Sequence, residues 1–271
     1  MRQELRDQKR QRYLDAAITI VMRDGFDGLT MGAIAREVTA AVGTIYGYFS
    51  SKGSLVSELQ VFAIETLVAA WREAVAIWSA EFVRSGMSND ERILAELLTY
   101  GEYFTGIRRA YPEEFQLQQL QLARRQPLFG EDELARLIPA GEELLGCAFD
   151  LVKDAADAEV ISEPHSARDR SLGLVLALNG IAMMENVPYV DDSVVLDRIS
   201  RRVSMDLVAS WGAEHSQIDR LMPVVTAVVE SLPLESLPSY TSHQSRLAAS
   251  RSDGVIDLSD TPVDLISLPT T

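Results

Sequence analysis

Thr30-Met31-Gly32-Ala33-Ile34-Ala35-Arg36-Glu37-Val38-Thr39-Ala40-Ala41-Val42-Gly43-Thr44-Ile45-Tyr46-Gly47-Tyr48-Phe49-Ser50-Ser51-Lys52 is the stretch on which the fold turns. Thr30 is a natural N-cap for a short helix through Val38, because its hydroxyl can accept an orphan N–H of the first turn. A further helix runs from about Val42 to Phe49. Ser50-Ser51 then open a long helix reaching about Phe82, with Ser85-Gly86 as its end. Upstream, Gln3 to Arg23 carries Ala16, Ala17, Ile20 and Val21 on one helical face, and Gly25 stops it. Two short helices joined by a tight turn behind a longer first one make a helix-turn-helix. The second of such a pair can enter the DNA major groove.

On a helical wheel, Ile45 and Phe49 share a face and meet Ile34 and Val38. Gly43, Thr44 and Gly47 fall opposite, flanked by Val42, Tyr46 and Tyr48. Each glycine costs about 1 kcal/mol relative to alanine inside a helix, so two glycines here need a reason. Close backbone approach to a partner is one. Val42 and Thr44 suit thymine methyl groups, and Thr44 can also hydrogen-bond a base or phosphate. Tyr46 and Tyr48 have the reach to donate to phosphates. Lys52 and Thr30, each near a helix start, suit phosphate as well. Periodicity alone leaves DNA reading and plain packing of a small helical subdomain both open.

The segment Gly25-Phe26-Asp27-Gly28-Leu29-Thr30-Met31, with Ile34-Ala35, Gly43-Thr44-Ile45-Tyr46-Gly47-Tyr48-Phe49-Ser50-Ser51-Lys52 and Leu55, closely resembles the DNA-binding domain of the tetracycline-repressor (TetR) family. The resemblance covers about residues 9–60, and its Gly-Thr-(Leu/Ile)-Tyr-x-Tyr-Phe-x-x-Lys run is highly specific. It implies phosphate and groove contacts at Thr30, Thr44, Tyr46, Tyr48 and Lys52 and a base-reading role for Val42; Gly43 is expected at the same interface because its missing side chain permits close backbone approach. Arg2, Arg6, Lys9 and Arg10 form either an N-terminal arm near DNA or a solvated charged face. The sequence departs from the family in the turn, where Val38-Thr39-Ala40-Ala41 replaces Ala-Gly-Val-Ser. Thr39 stands at the usual left-handed glycine position, where a β-branched residue is strained, so another turn shape is expected. Ala41 replaces a capping serine. Gly47 removes one large side chain that many relatives carry, so specificity is expected to lean on shape and thymine methyls.

Net charge is −15, but it is unevenly spread. Residues 1–57 hold eight Lys/Arg against six Asp/Glu, whereas the remainder holds 17 against 34. A slightly basic reader on an acidic body keeps phosphate contact at one face. The single cysteine, Cys147, excludes an intrachain disulfide framework and fits a reducing compartment. His165, His215 and His243 are far apart, and no metal site or cofactor is expected. The polar N-terminus has no apolar h-region. Leu172 to Met184, read as the longest apolar stretch, is too short to span a bilayer. A cytoplasmic protein without membrane contact is expected. No phosphate loop, GxSxG elbow or nucleophile–base pair is present, so an enzyme is not expected. Glu113-Glu114 and Glu142-Glu143 read as dipole-complementing pairs near helix starts.

The expected fold is all-α: a helix-turn-helix domain (1–52), a helical ligand-binding and dimerisation domain (53–231) and a polar, Ser/Pro-rich tail (232–271) expected to be disordered. Further helices are expected near Asp90–Ala110, Glu113–Arg125, Glu131–Ala156, Ala167–Glu185, Val194–Trp211 and Gln217–Ser231. The resemblance implies a homodimer whose interface uses the helices at Ala167–Glu185 and Val194–Trp211. Leu172, Val175, Leu176, Asn179 and Met183 recur on the first, and Ile199, Val203, Leu207 and Trp211 on the second. Packing of these stripes into their own core is the alternative. A largely apolar ligand pocket is expected from Tyr100, Tyr103, Phe104, Ile107, Phe115, Leu120, Cys147, Asn179, Met183 and Met184, a set that also fits plain core. The expected function is a ligand-responsive repressor that binds a near-palindromic double-stranded DNA operator and is released by a small apolar ligand. The alternative is a DNA-binding protein of the same fold that recruits a protein partner and has no cavity.

Overall fold

The computed structural model describes residues 2–119, 129–162, 166–186 and 193–234. All regular structure among these residues is helical, as expected. The N-terminal helices are α1 (Arg2–Gly28), α2 (Met31–Glu37) and α3 (Val42–Tyr46). The body consists of α4 (Lys52–Arg84), α5 (Asn89–Ala110), α6 (Pro112–Gln119), α7 (Glu131–Asp157), α8 (Ala167–Met183), α9 (Ser193–Ser210) and α10 (His215–Glu230). Leu120, His165 and the tail beyond Leu234 lie outside the described residues.

Local chemistry sets the boundaries. Gly25 breaks the α1 ladder with φ 71°, a left-handed value that glycine adopts without a Cβ penalty. Thr30 caps α2, its hydroxyl accepting from the Ala33 N–H at 3.0 Å. Ser51 caps α4 in the same way, accepting from the Ser54 N–H at 2.9 Å. The third helix is shorter than its sequence suggests. After Tyr46 the Gly47 and Tyr48 N–H groups turn back to the carbonyls of Thr44 and Ile45. This tight turn drops Phe49 into the core, where it is fully buried.

In α4, Leu55, Leu59, Ala63 and Leu67 are buried at a spacing of four, followed by Ala70, Ala74, Trp78 and Phe82. Such a stripe follows one side of a helix. It packs chiefly on α7, while α5 packs on α10 and α7 on α8. This corrects the sequence reading in one respect. By composition α4, not the Leu172–Met184 stretch, is long and apolar enough to cross a membrane, and 67% of its apolar window is buried within the fold. Glu142 and Glu143 sit in the middle of α7 rather than near its start, and Glu143 pairs with Arg72 of α4.

The contact between α5 and α9 is polar at its edges. Buried Arg108 meets Asp197 at 2.9 Å, and Arg201 meets Glu102 at 2.7 Å. Gly101 faces Ser204 so closely that a Cβ on it would lie 2.3 Å from the Ser204 Oγ. The chain stays docked past the expected start of the tail: Leu232 is buried, and the Tyr111 hydroxyl donates to the Leu234 carbonyl at 3.0 Å.

Candidate nucleic-acid interface and regulatory cavity

The α3 segment is held from behind and open in front. Ile45 and Phe49 are fully buried, against Ile34 and Val38 in the same core. Val42 is 42% exposed and Tyr46 52%, and Gly43, Thr44 and Gly47 are exposed between them. A Cβ built on Gly43 meets nothing within 4 Å. Among the described residues, no packing therefore requires glycine there. The outward face is small and uncharged, as the wheel predicts.

The turn before α3 departs from expectation. Thr39 retains the left-handed conformation, with φ 56°. Two hydrogen bonds fix it, from the Thr39 N–H to the Arg36 carbonyl at 3.2 Å and from the Ala40 N–H to the Ala35 carbonyl at 2.8 Å. The turn keeps its shape and Thr39 carries the strain, because the α2 carbonyls need these partners. Ala41 makes no side-chain cap to α3.

Several residues singled out for DNA contact also serve the fold. Lys52 donates to the Phe26 carbonyl at 3.3 Å, with its ammonium 4.1 Å from the centre of the Phe26 ring. Tyr48 packs edge-on against Tyr13, their ring centres 5.0 Å apart. Thr30 is exposed, so its hydroxyl hydrogen remains available while the oxygen caps α2.

Among the N-terminal cations, Arg10 is committed elsewhere. It forms a two-pronged pair with Glu58, donates to the Tyr48 carbonyl at 3.0 Å and lies over the Phe49 ring at 4.6 Å. Arg10 is thus a bolt between α1 and α4. The segment it belongs to is helical from Arg2, not an extended arm, and Arg6 and Lys9 stay exposed along it. Arg12, which the sequence reading passed over, donates to the Val38 carbonyl at 3.0 Å and ties α1 to the end of α2.

A cavity of about 320 Å³ lies in the body between α4, α5, α6, α7 and α8. Tyr100, Tyr103, Phe104, Ile107, Phe115, Cys147 and Asn179, all expected in a pocket, line it. Met183 and Met184 do not, because they stand at the end of α8, a turn beyond Asn179. The sequence reading missed Gln60, Ile64, Leu67 and Trp71 of α4, Gln118 of α6, and Leu134, Leu137, Ile138, Gly141, Leu144 and Leu145 of α7. The α7 set recurs at three- and four-residue intervals, a signal present in the sequence but shared with any core stripe. Trp71 joins Trp78, Tyr100 and Tyr103 by edge-to-face contacts at 5.0–5.5 Å, which make one wall rigid. Burial pushes the Cys147 thiol up to about 12 and raises Tyr100 and Tyr103 above the usual tyrosine range.

The two expected dimer stripes divide. Leu172, Leu176 and Ile199 are 39%, 52% and 40% exposed, and Val203 and Leu207 are half-buried. Val175 and Asn179 turn inward to the cavity, and Trp211 is buried under Arg170.

Residues 14–59 match the family of bacterial regulatory proteins known as the tetR family. The match takes in most of α1, all of α2 and α3, and the start of α4. A stretch of 53 residues is 40% identical to the HTH-type transcriptional repressor KstR of Mycolicibacterium smegmatis, covering 20% of this chain and 26% of that repressor. The same figure of 40% over 53 residues holds for KstR of Mycobacterium tuberculosis, with 24% of that protein covered. The matched segment therefore spans about a quarter of these relatives. Over the longer chain the likeness is to solved structures. The fatty acid degradation regulator FadR of Bacillus halodurans superposes with a TM-score of 0.54 at 16% identity, over 76% of this chain and 97% of that one. A protein of unknown function from Rhodococcus sp. RHA1 superposes with a TM-score of 0.52 at 19% identity, over 74% and 94%. At these identities the likeness concerns the fold alone.

Proposed function

We propose that this protein is a cytoplasmic transcriptional repressor that binds a near-palindromic operator as a homodimer and is released by a small apolar ligand. Residues 1–52 serve as the reader, and 53–231 as the sensing and dimerising body. The observation that carries the DNA-reading part is the outward face of α3, where a side chain on Gly43 would meet open space and Val42, Thr44 and Tyr46 are exposed on a helix fixed by Ile45 and Phe49. Small residues let the backbone approach base edges. The exposed apolar residues Leu172 and Leu176 on α8 and Ile199 on α9 suit a four-helix contact with a second copy. In such a dimer the two readers serve half-sites about 34–36 Å apart.

The cavity supports ligand control over the reading without a ligand. One helix touches both places, since α4 starts beside the reader at Lys52 and lines the cavity with Gln60, Ile64, Leu67 and Trp71. Lys52 and Ile64 lie about 18 Å apart along that rod. A guest that favours one tilt of α4 shifts the population of reader spacings, and DNA affinity with it.

The test compares Tyr46→Phe and Thr44→Ala in fluorescence-anisotropy titrations on the selected operator and on single-base variants of it. Tyr46→Phe removes only a hydroxyl from an exposed ring and is expected to weaken all sequences alike, by roughly three- to tenfold, as a lost phosphate hydrogen bond would. Thr44→Ala is expected to compress the difference between sequences. Unchanged affinity and unchanged sequence preference in both variants would place the reading face elsewhere.

A further inference from the structure

The three N-terminal helices pack chiefly on one another, α1 on α2 and α2 on α3. Side chains then cross between them and α4 in both directions. Lys52 of α4 reaches back to the Phe26 carbonyl, and Arg10 of α1 reaches forward to Glu58 of α4. Arg10 does more than pair. Its Nε donates to one Glu58 carboxylate oxygen at 2.7 Å and its Nη2 to the other. Its Nη1 donates to the Tyr48 carbonyl at 3.0 Å, and its Cζ lies 4.6 Å from the centre of the Phe49 ring. A guanidinium holds its donors in one rigid plane, so Glu58 on one edge fixes where the other edge meets Tyr48.

Tyr48 and Phe49 are where the α3 turn closes. The helix has no side-chain cap at Ala41, and it follows the left-handed turn at Thr39. Its far end is tied off by the Tyr48 and Phe49 N–H groups, both on the Ile45 carbonyl. Arg10 holds the carbonyl of Tyr48 at that point. The chain then enters α4 at Lys52. Glu58 stands about 9 Å further along that helix, two residues before Gln60 in the cavity wall. A tilt of α4 carries the Glu58 carboxylate with it, and Arg10 hands that displacement to the end of α3.

Resting on the DNA reading above, we propose that Arg10 and Glu58 are positioning residues for DNA recognition: the pair sets the angle between α4 and the α3 face, and Arg10 acts through Tyr48 rather than on phosphate. The sign of one substitution separates this from plain electrostatics. Glu58→Gln removes a negative charge and releases a cation beside the end of α3. Charge alone then gives tighter DNA binding with a steeper salt dependence. Positioning gives the opposite sign, weaker binding with the salt dependence unchanged.

The test titrates the full chain on the operator it selects, by fluorescence anisotropy between about 50 and 200 mM salt. Glu58→Gln is expected to bind about three- to tenfold more weakly, the range of one lost hydrogen-bonded link, with the wild-type salt slope. Arg10→Lys keeps the charge and loses the fork, and the same change is expected of it. The double variant is expected to be no weaker than the weaker single one, because both break one link. Hydrogen exchange on the same proteins is expected to quicken at the Gly47, Tyr48 and Phe49 amides while α5 is unchanged. Glu58→Gln binding as tightly as wild type or more tightly, Arg10→Lys binding like wild type, additive losses, or exchange that quickens in α5 as well would each overturn the positioning role and leave DNA reading standing. A wild-type chain that binds no operator removes the DNA reading itself, and the positioning role with it.

Discussion

At the scale of single residues, Thr39 shows strain in the open. A β-branched side chain is held at φ 56° because two N–H groups must reach the α2 carbonyls. The left-handed conformation costs a non-glycine residue about 1–2 kcal/mol. Glycine would relieve that and lose roughly 0.5–1 kcal/mol to the entropy of the unfolded chain. Thr39→Gly is therefore expected to stabilise the protein by up to about 1 kcal/mol in urea unfolding. Thr39 is exposed, so no packing is at stake. A clear loss of stability would show that the side chain itself holds the turn. The position of Thr39 was legible in the sequence, but the survival of the turn was not. The strain of one residue does not reveal how many backbone hydrogen bonds outweigh it. Arg10 carries a similar lesson. Its charge pointed outward to DNA, whereas its partners Glu58 and Phe49 lie far away in sequence and draw it inward.

At the scale of elements, caps and stripes carried the reading. Thr30 and Ser51 mark the starts of α2 and α4 through local hydrogen bonds, which is why sequence located them. The end of α3 was missed because burial of Phe49, a tertiary demand, decides it. The cavity divides in the same way. The aromatic run of α5 stood out, while the aliphatic faces of α4 and α7 look like ordinary core until the fold brings them together. The contact between α5 and α9 offers a sharp test of packing. A methyl group on Gly101 would collide with Ser204 at 2.3 Å from Oγ and 2.7 Å from Cβ. Gly101→Ala is expected to destabilise by about 1–3 kcal/mol, the usual cost of overpacking. Ser204→Gly added to it is expected to restore most of the loss, as read from paired thermal melts. Additivity of the two changes would mean that the helices separate rather than clash.

At the scale of the whole molecule, charge and shape point the same way. The first 57 residues carry eight cations against six anions, and the remainder carries 17 against 34. An acidic body is repelled by phosphate, which favours the N-terminal face for the proposed DNA contact. The long helix α4 joins that face to the cavity, which is the path the proposed ligand control would use. The central claim is that the uncharged face of α3, displayed twice in a homodimer, reads a two-fold symmetric DNA site. Selection of bound sequences from a random double-stranded pool with the purified full chain tests it most directly. Enrichment of an inverted repeat with half-sites about one helical turn or more apart is expected, as is loss of that enrichment with Thr44→Ala. Enrichment of no sequence, or of a single half-site without symmetry, would contradict it.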